Sequence, residues 1–277
     1  MSTRQQPSPS GRETRALREV AAYDEGRVWE VSNRWHGRVR HVIEGANTEA
    51  GERRFRGLLE QRVPGRRVLD VGCGLGRLSG ELHAMGARSV YGFDSSQHEI
   101  ELARADYGHL RGVTFGVHGA EVPIAASFEV IVGRSILHHL DFRSILPALF
   151  ERNLLPGGRM LFMEPMSHPF TVAFHRLVRA AHTPDEWPLT AADVAWLRER
   201  FAARVLPINL LSFPAGILSS FCLPSPDNRL MRLADRADRS LERRARLRAR
   251  GRQGIILIDR PRARRSSAGA TGPTICV

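Results

Sequence analysis

One nine-residue stretch constrains the fold more than any other: Val68-Leu69-Asp70-Val71-Gly72-Cys73-Gly74-Leu75-Gly76. An apolar strand runs directly into three alternate glycines, and a helical pattern follows. In such a strand–turn–helix unit the glycines let the backbone approach a ligand at the helix N-terminus. The spacing is G-x-G-x-G. A dinucleotide-binding turn needs G-x-G-x-x-G, and the place of its third glycine is held by Arg77. The turn therefore suits a carboxylate and a small amino-acid moiety better than a diphosphate.

The rest of the chain repeats the same alternation. Strands are expected at 67–71, 89–93, 113–117, 128–133, 159–164, 204–211 and 254–259. Helices are expected over 13–61, from the first glycine turn to about Met85, from the Ser96-Gln97-His98-Glu99 capping box, near 143–153, from Thr190 to about Ala203, and along the stripe Leu230, Ala234, Ala237, Leu241, Ala245. Strands alternating with helices imply a parallel sheet with right-handed crossovers. The run 128–133 is apolar throughout, as in a strand buried on both faces. The expected organisation is a tail at 1–12, a single domain at 13–260 and a second tail at 261–277. Within the domain, 13–61 forms N-terminal helices, and 166–189 and 212–250 form lid or insert elements.

Composition excludes several classes. Hydrophobic residues are 42% and charged residues 25% of 277, so a core can form. The cysteines Cys73, Cys222 and Cys276 are too far apart for a disulfide framework or a CxxC zinc site, and no metal is expected. No apolar signal segment opens the chain, so a cytoplasmic location is the expectation. The uncharged stretch 205–226 contains Pro207, Pro214 and Pro224 and reads as a buried strand, a turn and a short helix, not a membrane span. The net charge is +12. Every basic residue is Arg, and 229–265 holds fourteen of them against Asp235, Asp238, Glu242 and Asp259. The expected reading is a solvated helix face plus a tail; the competing reading is a nucleic-acid surface.

Four segments together resemble the class I S-adenosylmethionine-dependent methyltransferases, over about residues 60–260. They are the glycine turn, Tyr91-Gly92-Phe93-Asp94-Ser95-Ser96, Phe128 through Leu140, and Leu155 through Pro165. The nearest likeness is to the ubiquinone-biosynthesis-like branch, which contains many bacterial small-molecule, natural-product enzymes. The resemblance implies an α/β, Rossmann-like sheet of seven strands, the last antiparallel between the fifth and sixth, with a helical N-terminal extension and lid insertions. It implies S-adenosylmethionine as cofactor, with Gly72, Cys73, Gly74 and Gly76 at its methionine end and Asp70 orienting the turn. Asp94 would hold the ribose, and Ser95 is a further cofactor-binding position. The family often carries Gly-Asp-Ala-Glu after the third strand; here His118-Gly119-Ala120-Glu121 stands instead. Adenine contacts then fall to the Ala120 and Glu121 backbone or to the Glu121 side chain. Arg134, Ser135 and His139 would sit beside the cofactor.

A protonated nucleophile benefits from a general base, and His suits that role. His138 is the first candidate, followed by His168, Glu164 and Tyr23. Asp185, Glu186 and Trp187 fall in the expected roof. The lid is poor in acids, which favours an apolar or aromatic metabolite methylated on O, N or C. Residues 13–61 are expected to pack over the crevice or across to a second copy, giving a homo-oligomer. The alternatives are an RNA-directed enzyme using 229–265, and a cofactor-binding cyclase.

Overall fold

The computed structural model describes residues 39–167, 188–241 and 250–260. Two helices come first: α1 (Arg40–Ile43) and α2 (Ala46–Glu60). Then follow β1 (Arg67–Val71), α3 (Arg77–Ala84), β2 (Ser89–Asp94), α4 (Gln97–Tyr107), β3 (Val113–Val117) and β4 (Phe128–Arg134). The second half holds α5 (Phe142–Ala148), β5 (Leu154–Pro165), α6 (Ala191–Phe201), β6 (Arg204–Ile208), α7 (Ser212–Cys222), α8 (Arg229–Leu241) and β7 (Gln253–Asp259). A 3₁₀ turn at Leu137–His139 precedes α5, and a π turn at Leu149–Asn153 extends it.

The strands form one sheet in the order β3-β2-β1-β4-β5-β7-β6. The β1–β2, β1–β4, β2–β3 and β4–β5 pairs are parallel, while β7 runs antiparallel to both β5 and β6. The fold is the one the resemblance implies. Its physical basis is the period of two along each strand. Leu69, Val71, Ile131, Met160, Phe162, Ile256 and Ile258 pack on one face with Phe142, Leu146, Leu197 and Phe201 of α5 and α6. Val68, Val130, Val132, Leu161, Met163, Ile255 and Leu257 pack on the other with Phe55, Leu59, Leu82 and Ile100 of α2, α3 and α4. Two apolar faces on every central strand demand helices on both sides.

Several boundaries differ from the sequence expectation. Strand β6 stops at Ile208 because Asn209 turns left-handed, with φ of 56°. The amides of Leu210, Leu211 and Ser212 then all donate to the buried Asp238 carboxylate. The stripe on α8 is correspondingly not apolar: Asp235 and Asp238 are buried on it beside Met231 and Ala234. Strand β5 begins early, at Leu154, and takes the Pro156-Gly157-Gly158 turn as an irregularity in its register with β4. Of the arginines in 229–265, Arg260 is turned inward, donating to the carbonyls of Phe150 and Leu154. Both expected tails, helix residues 13–38, most of the 166–189 insertion and residues 242–249 lie outside the described residues. Among the described residues no helix is long and apolar enough to cross a membrane.

Candidate active site

The sheet order reverses beside β1, so a ligand crevice is expected at the carboxyl ends of β1, β2 and β4. The glycine turn lies there. Gly72, Gly74 and Gly76 all have positive φ, at 64°, 50° and 75°. Space is as restrictive as conformation. A Cβ on Gly72 would stand 2.3 Å from Ile136 Cδ1, and one on Gly76 would stand 2.9 Å from Ala103 Cβ. Cys73 is turned into the protein. Its amide donates to the Phe93 carbonyl at 3.0 Å, its side chain is buried, and burial pushes its thiol far up.

Two carboxylates shape the turn in different ways. Asp70 is buried beneath it and accepts from Ser79 Oγ at 2.7 Å, which ties β1 to α3. Burial raises its pKa to about 7; the Ser79 hydrogen bond works against this and Asp94 adds to it. Asp94, half-buried at the end of β2, accepts from Gly74 N at 3.0 Å through one oxygen and from Ser96 N at 3.0 Å through the other. A carboxylate has about four acceptor sites. Both oxygens therefore keep capacity for a diol beside the glycine turn. Ser95 is exposed next to it, and Ser96 caps α4 by accepting from Glu99 N.

At the end of β3, His118 stacks on Phe93 with ring centroids 4.4 Å apart. One ring nitrogen, Nδ1, lies 2.9 Å from the Gly119 carbonyl and must donate to it; Nε2 then accepts from the Tyr91 hydroxyl at 2.9 Å. The only sequence sign of the Tyr91–His118 pair is that Tyr91 lies in β2 and His118 directly follows β3. Gly119 also has a physical reason. The Glu121 carboxylate folds back so that its Oε1 is 2.1 Å from where a Cβ on Gly119 would stand. The carboxylate of Glu121 thus occupies the space in which an acid at 119 would begin. Ala120 is half-buried between them.

The end of β4 holds the remaining residues. Ser135 is left-handed at φ of 54° and donates its amide to the Met163 carbonyl at 2.8 Å. Arg134 reaches away to Glu52 of α2, at 2.7 Å. Glu52 also faces Arg252, which burial lowers to about 10 while Glu52 works against the shift. Neither Glu52 nor Arg252 carries a sequence pattern that marks it.

Glu164 is not placed as a substrate-facing base. It is fully buried and its Oε1 accepts from Ile136 N at 2.9 Å and Leu137 N at 3.0 Å. Its Oε2 accepts from His138 N at 3.4 Å and His138 Nδ1 at 2.9 Å. It is the shared acceptor of the 3₁₀ turn and the orienter of the His138 ring. With Nδ1 donating, Nε2 is the basic end of that ring. His139 lies against His138 at 4.0 Å between centroids. Tyr23, His168, Asp185, Glu186 and Trp187 lie outside the described residues. Among the described residues no group of His, Cys, Asp and Glu could hold a metal ion.

These residues fit the cofactor implied by the resemblance: a glycine cradle that admits no Cβ, and a carboxylate with acceptor capacity left beside it. Comparison with known proteins agrees. Residues 68–158 match the model of a methyltransferase domain. The chain is 33% identical over 155 residues to a ubiquinone biosynthesis O-methyltransferase of Nitrosococcus oceani, covering 50% of this chain and 63% of that one. It is 32% identical over 170 residues to the O-methyltransferase rstn1 of Aspergillus nomiae, covering 57% of this chain and 73% of that one. Among solved structures it is similar to phosphoethanolamine N-methyltransferase 2 of Haemonchus contortus, solved with phosphomonomethylethanolamine and S-adenosylhomocysteine. That likeness has a TM-score of 0.53 at 17% identity over 76% of this chain and 53% of the other. An S-adenosylmethionine-dependent methyltransferase of Mesorhizobium loti gives 0.50 at 16% identity, over 79% of this chain and 100% of the other. The match thus spans less than two thirds of the Nitrosococcus enzyme and about half of the Haemonchus one.

Proposed function

Because this chain belongs to the class I S-adenosylmethionine-dependent methyltransferases, we propose that it methylates a small, apolar or aromatic specialised metabolite. The names of the two sequence relatives support oxygen as the acceptor atom. The observation that carries the reading is the Asp94 carboxylate, fixed by the Gly74 and Ser96 amides at the mouth of the glycine turn.

When bound, the cofactor supplies an electrophilic methyl group on a sulfonium sulfur. The chain's residues do the positioning. Gly72, Gly74 and Gly76 would receive the amino-acid end and Asp94 the ribose hydroxyls. Glu121 would accept from the adenine amino group in place of an acid at 119. His138 would take the proton of the attacking group at Nε2, its ring held by Glu164. Tyr23 and His168 are the alternative bases, and the lid role of 166–189 and 212–250 belongs to the same reading. So do a single domain at 13–260, pairing through the N-terminal helices and a cytoplasmic location.

The experiment is the fate of a labelled methyl group. Purified protein, methyl-labelled S-adenosylmethionine, and either a small-molecule extract of the source organism or total RNA would be incubated together. Label in an organic-soluble product is expected, and mass spectrometry of that product reads the acceptor atom. Label in RNA would overturn the reading. So would a cyclised product that carries no label.

A further inference from the structure

A group of five arginines, Arg62, Arg66, Arg67, Arg159 and Arg204, shares two carboxylates at the opposite end of the sheet from the glycine turn. Strand β1 separates the two, a span of about 13 Å at 3.3 Å per residue. Two adjoining cavities of about 390 and 350 Å³ run along this edge and share the wall Gly157-Gly158-Arg159. The larger is also lined by Arg62, Arg66 and Pro64 from the end of α2 and the loop into β1.

The carboxylates here are each shared. Glu129 accepts from Arg66 at 3.0 Å and from the Arg67 amide at 2.8 Å, with the Arg67 guanidinium 4.0 Å away. Burial would raise the Glu129 carboxyl, but the Arg67 amide and the Arg66 guanidinium outweigh it and hold the group low. Asp259 is paired with Arg159 at 3.0 Å and with Arg204 at 3.1 Å. Arg62 has no carboxylate within ion-pair distance among the described residues. One of its terminal nitrogens donates to the Leu58 carbonyl at 2.9 Å, and its buried Nε has no partner. Burial and then the nearby Arg159 guanidinium lower its pKa, Asp259 works against the shift, and Arg204 adds to it. A buried guanidinium N–H without an acceptor is costly. Like charges gathered at one cavity call for a counter-charge from outside.

We propose that this basal groove is a second ligand site, for a small anion of two or more charges such as diphosphate or a phosphorylated metabolite. The Arg62 guanidinium would swing toward the groove so that its Nε–H gains an anion oxygen as acceptor, with Arg66 and Arg159 closing on the anion as charge-assisted donors. The volume fits a small ligand and not a nucleic-acid track. The site is independent of the methyl-transfer reading, since it shares no residue with the crevice.

The test is calorimetric titration of inorganic diphosphate into the full chain at low ionic strength, with saturating S-adenosylhomocysteine present. One-to-one binding is expected. Arg62→Gln and Arg66→Gln should each weaken it by roughly tenfold or more. Arg66 is half exposed, so its variant keeps the test valid if Arg62→Gln fails to fold. Arg239→Gln, on the distant face of α8, should leave diphosphate binding unchanged. A separate titration of S-adenosylhomocysteine should be the same in all three variants. Absence of saturable binding would overturn the proposal, as would equal weakening by Arg239→Gln, or binding of RNA without binding of diphosphate.

Discussion

Replacing Glu164 by Gln separates the two roles this buried carboxylate could hold. In the structure it accepts from three backbone amides, those of Ile136, Leu137 and His138, and from the His138 ring. A glutamine has one acceptor oxygen. If that oxygen stays with Ile136 and Leu137, the new NH₂ meets two donors of His138, and both lose their acceptor. Each buried donor left unsatisfied costs about 1–3 kcal/mol, and the lost charge removes the stronger, ionic form of the others. The two His138 donors together come to about 2–6 kcal/mol. In a domain of this size 1 kcal/mol moves Tm by about 2–4 °C, so a fall of at least about 4 °C is expected. Differential scanning calorimetry of the ligand-free protein reads it directly. If Glu164 were a substrate-facing base with little structural role, activity would collapse while Tm changed by less than about 3 °C. That result would refute the capping argument.

Three further outcomes follow from the same geometry. Burial holds Asp70 near 7 against an ordinary 3.8, so its protonated form is favoured on folding. The stability of the wild type relative to Asp70→Asn should be greatest below about pH 4. It should fall by on the order of 4 kcal/mol as pH rises through 7, read by denaturant melts across that window. Gly72→Ala places a Cβ 2.3 Å from Ile136 Cδ1 at a φ of 64°, so roughly 2–4 kcal/mol should be lost in urea unfolding. A neutral effect would mean the turn relaxes freely. Asp238→Asn should expose the Leu210, Leu211 and Ser212 amides to rapid hydrogen exchange, because that carboxylate is their shared acceptor.

The sheet was legible because its strands carry their own signals. The apolar runs at β1, β4 and β7 and the glycines after β1 are local, and parallel pairing follows from alternation with helices. Thr190 with Asp193 forms a full capping box in which each side chain bonds the other's backbone, so that helix start was also local. What stayed hidden depends on long-range pairing. Glu164 looks the same in sequence whether it faces a substrate or a turn twenty-six residues earlier. Asp238 sits on a helix with arginines around it, and only the fold shows that it caps α7 from inside. In sequence Gly119 is only a departure from a motif, whereas in the structure the Glu121 carboxylate fills the space a side chain at 119 would need. The basal arginines are scattered from 62 to 204 and meet only when the amino ends of the strands are brought together.

The central claim is that the glycine turn and Asp94 form the cofactor cradle. Calorimetric binding of S-adenosylhomocysteine to wild type and to Asp94→Ala tests it most directly. Two charge-assisted hydrogen bonds to ribose hydroxyls, at about 1.5 kcal/mol each, predict a weakening of roughly 100-fold with stoichiometry unchanged. Equal affinity in the two proteins, or no binding to the wild type, would contradict the account.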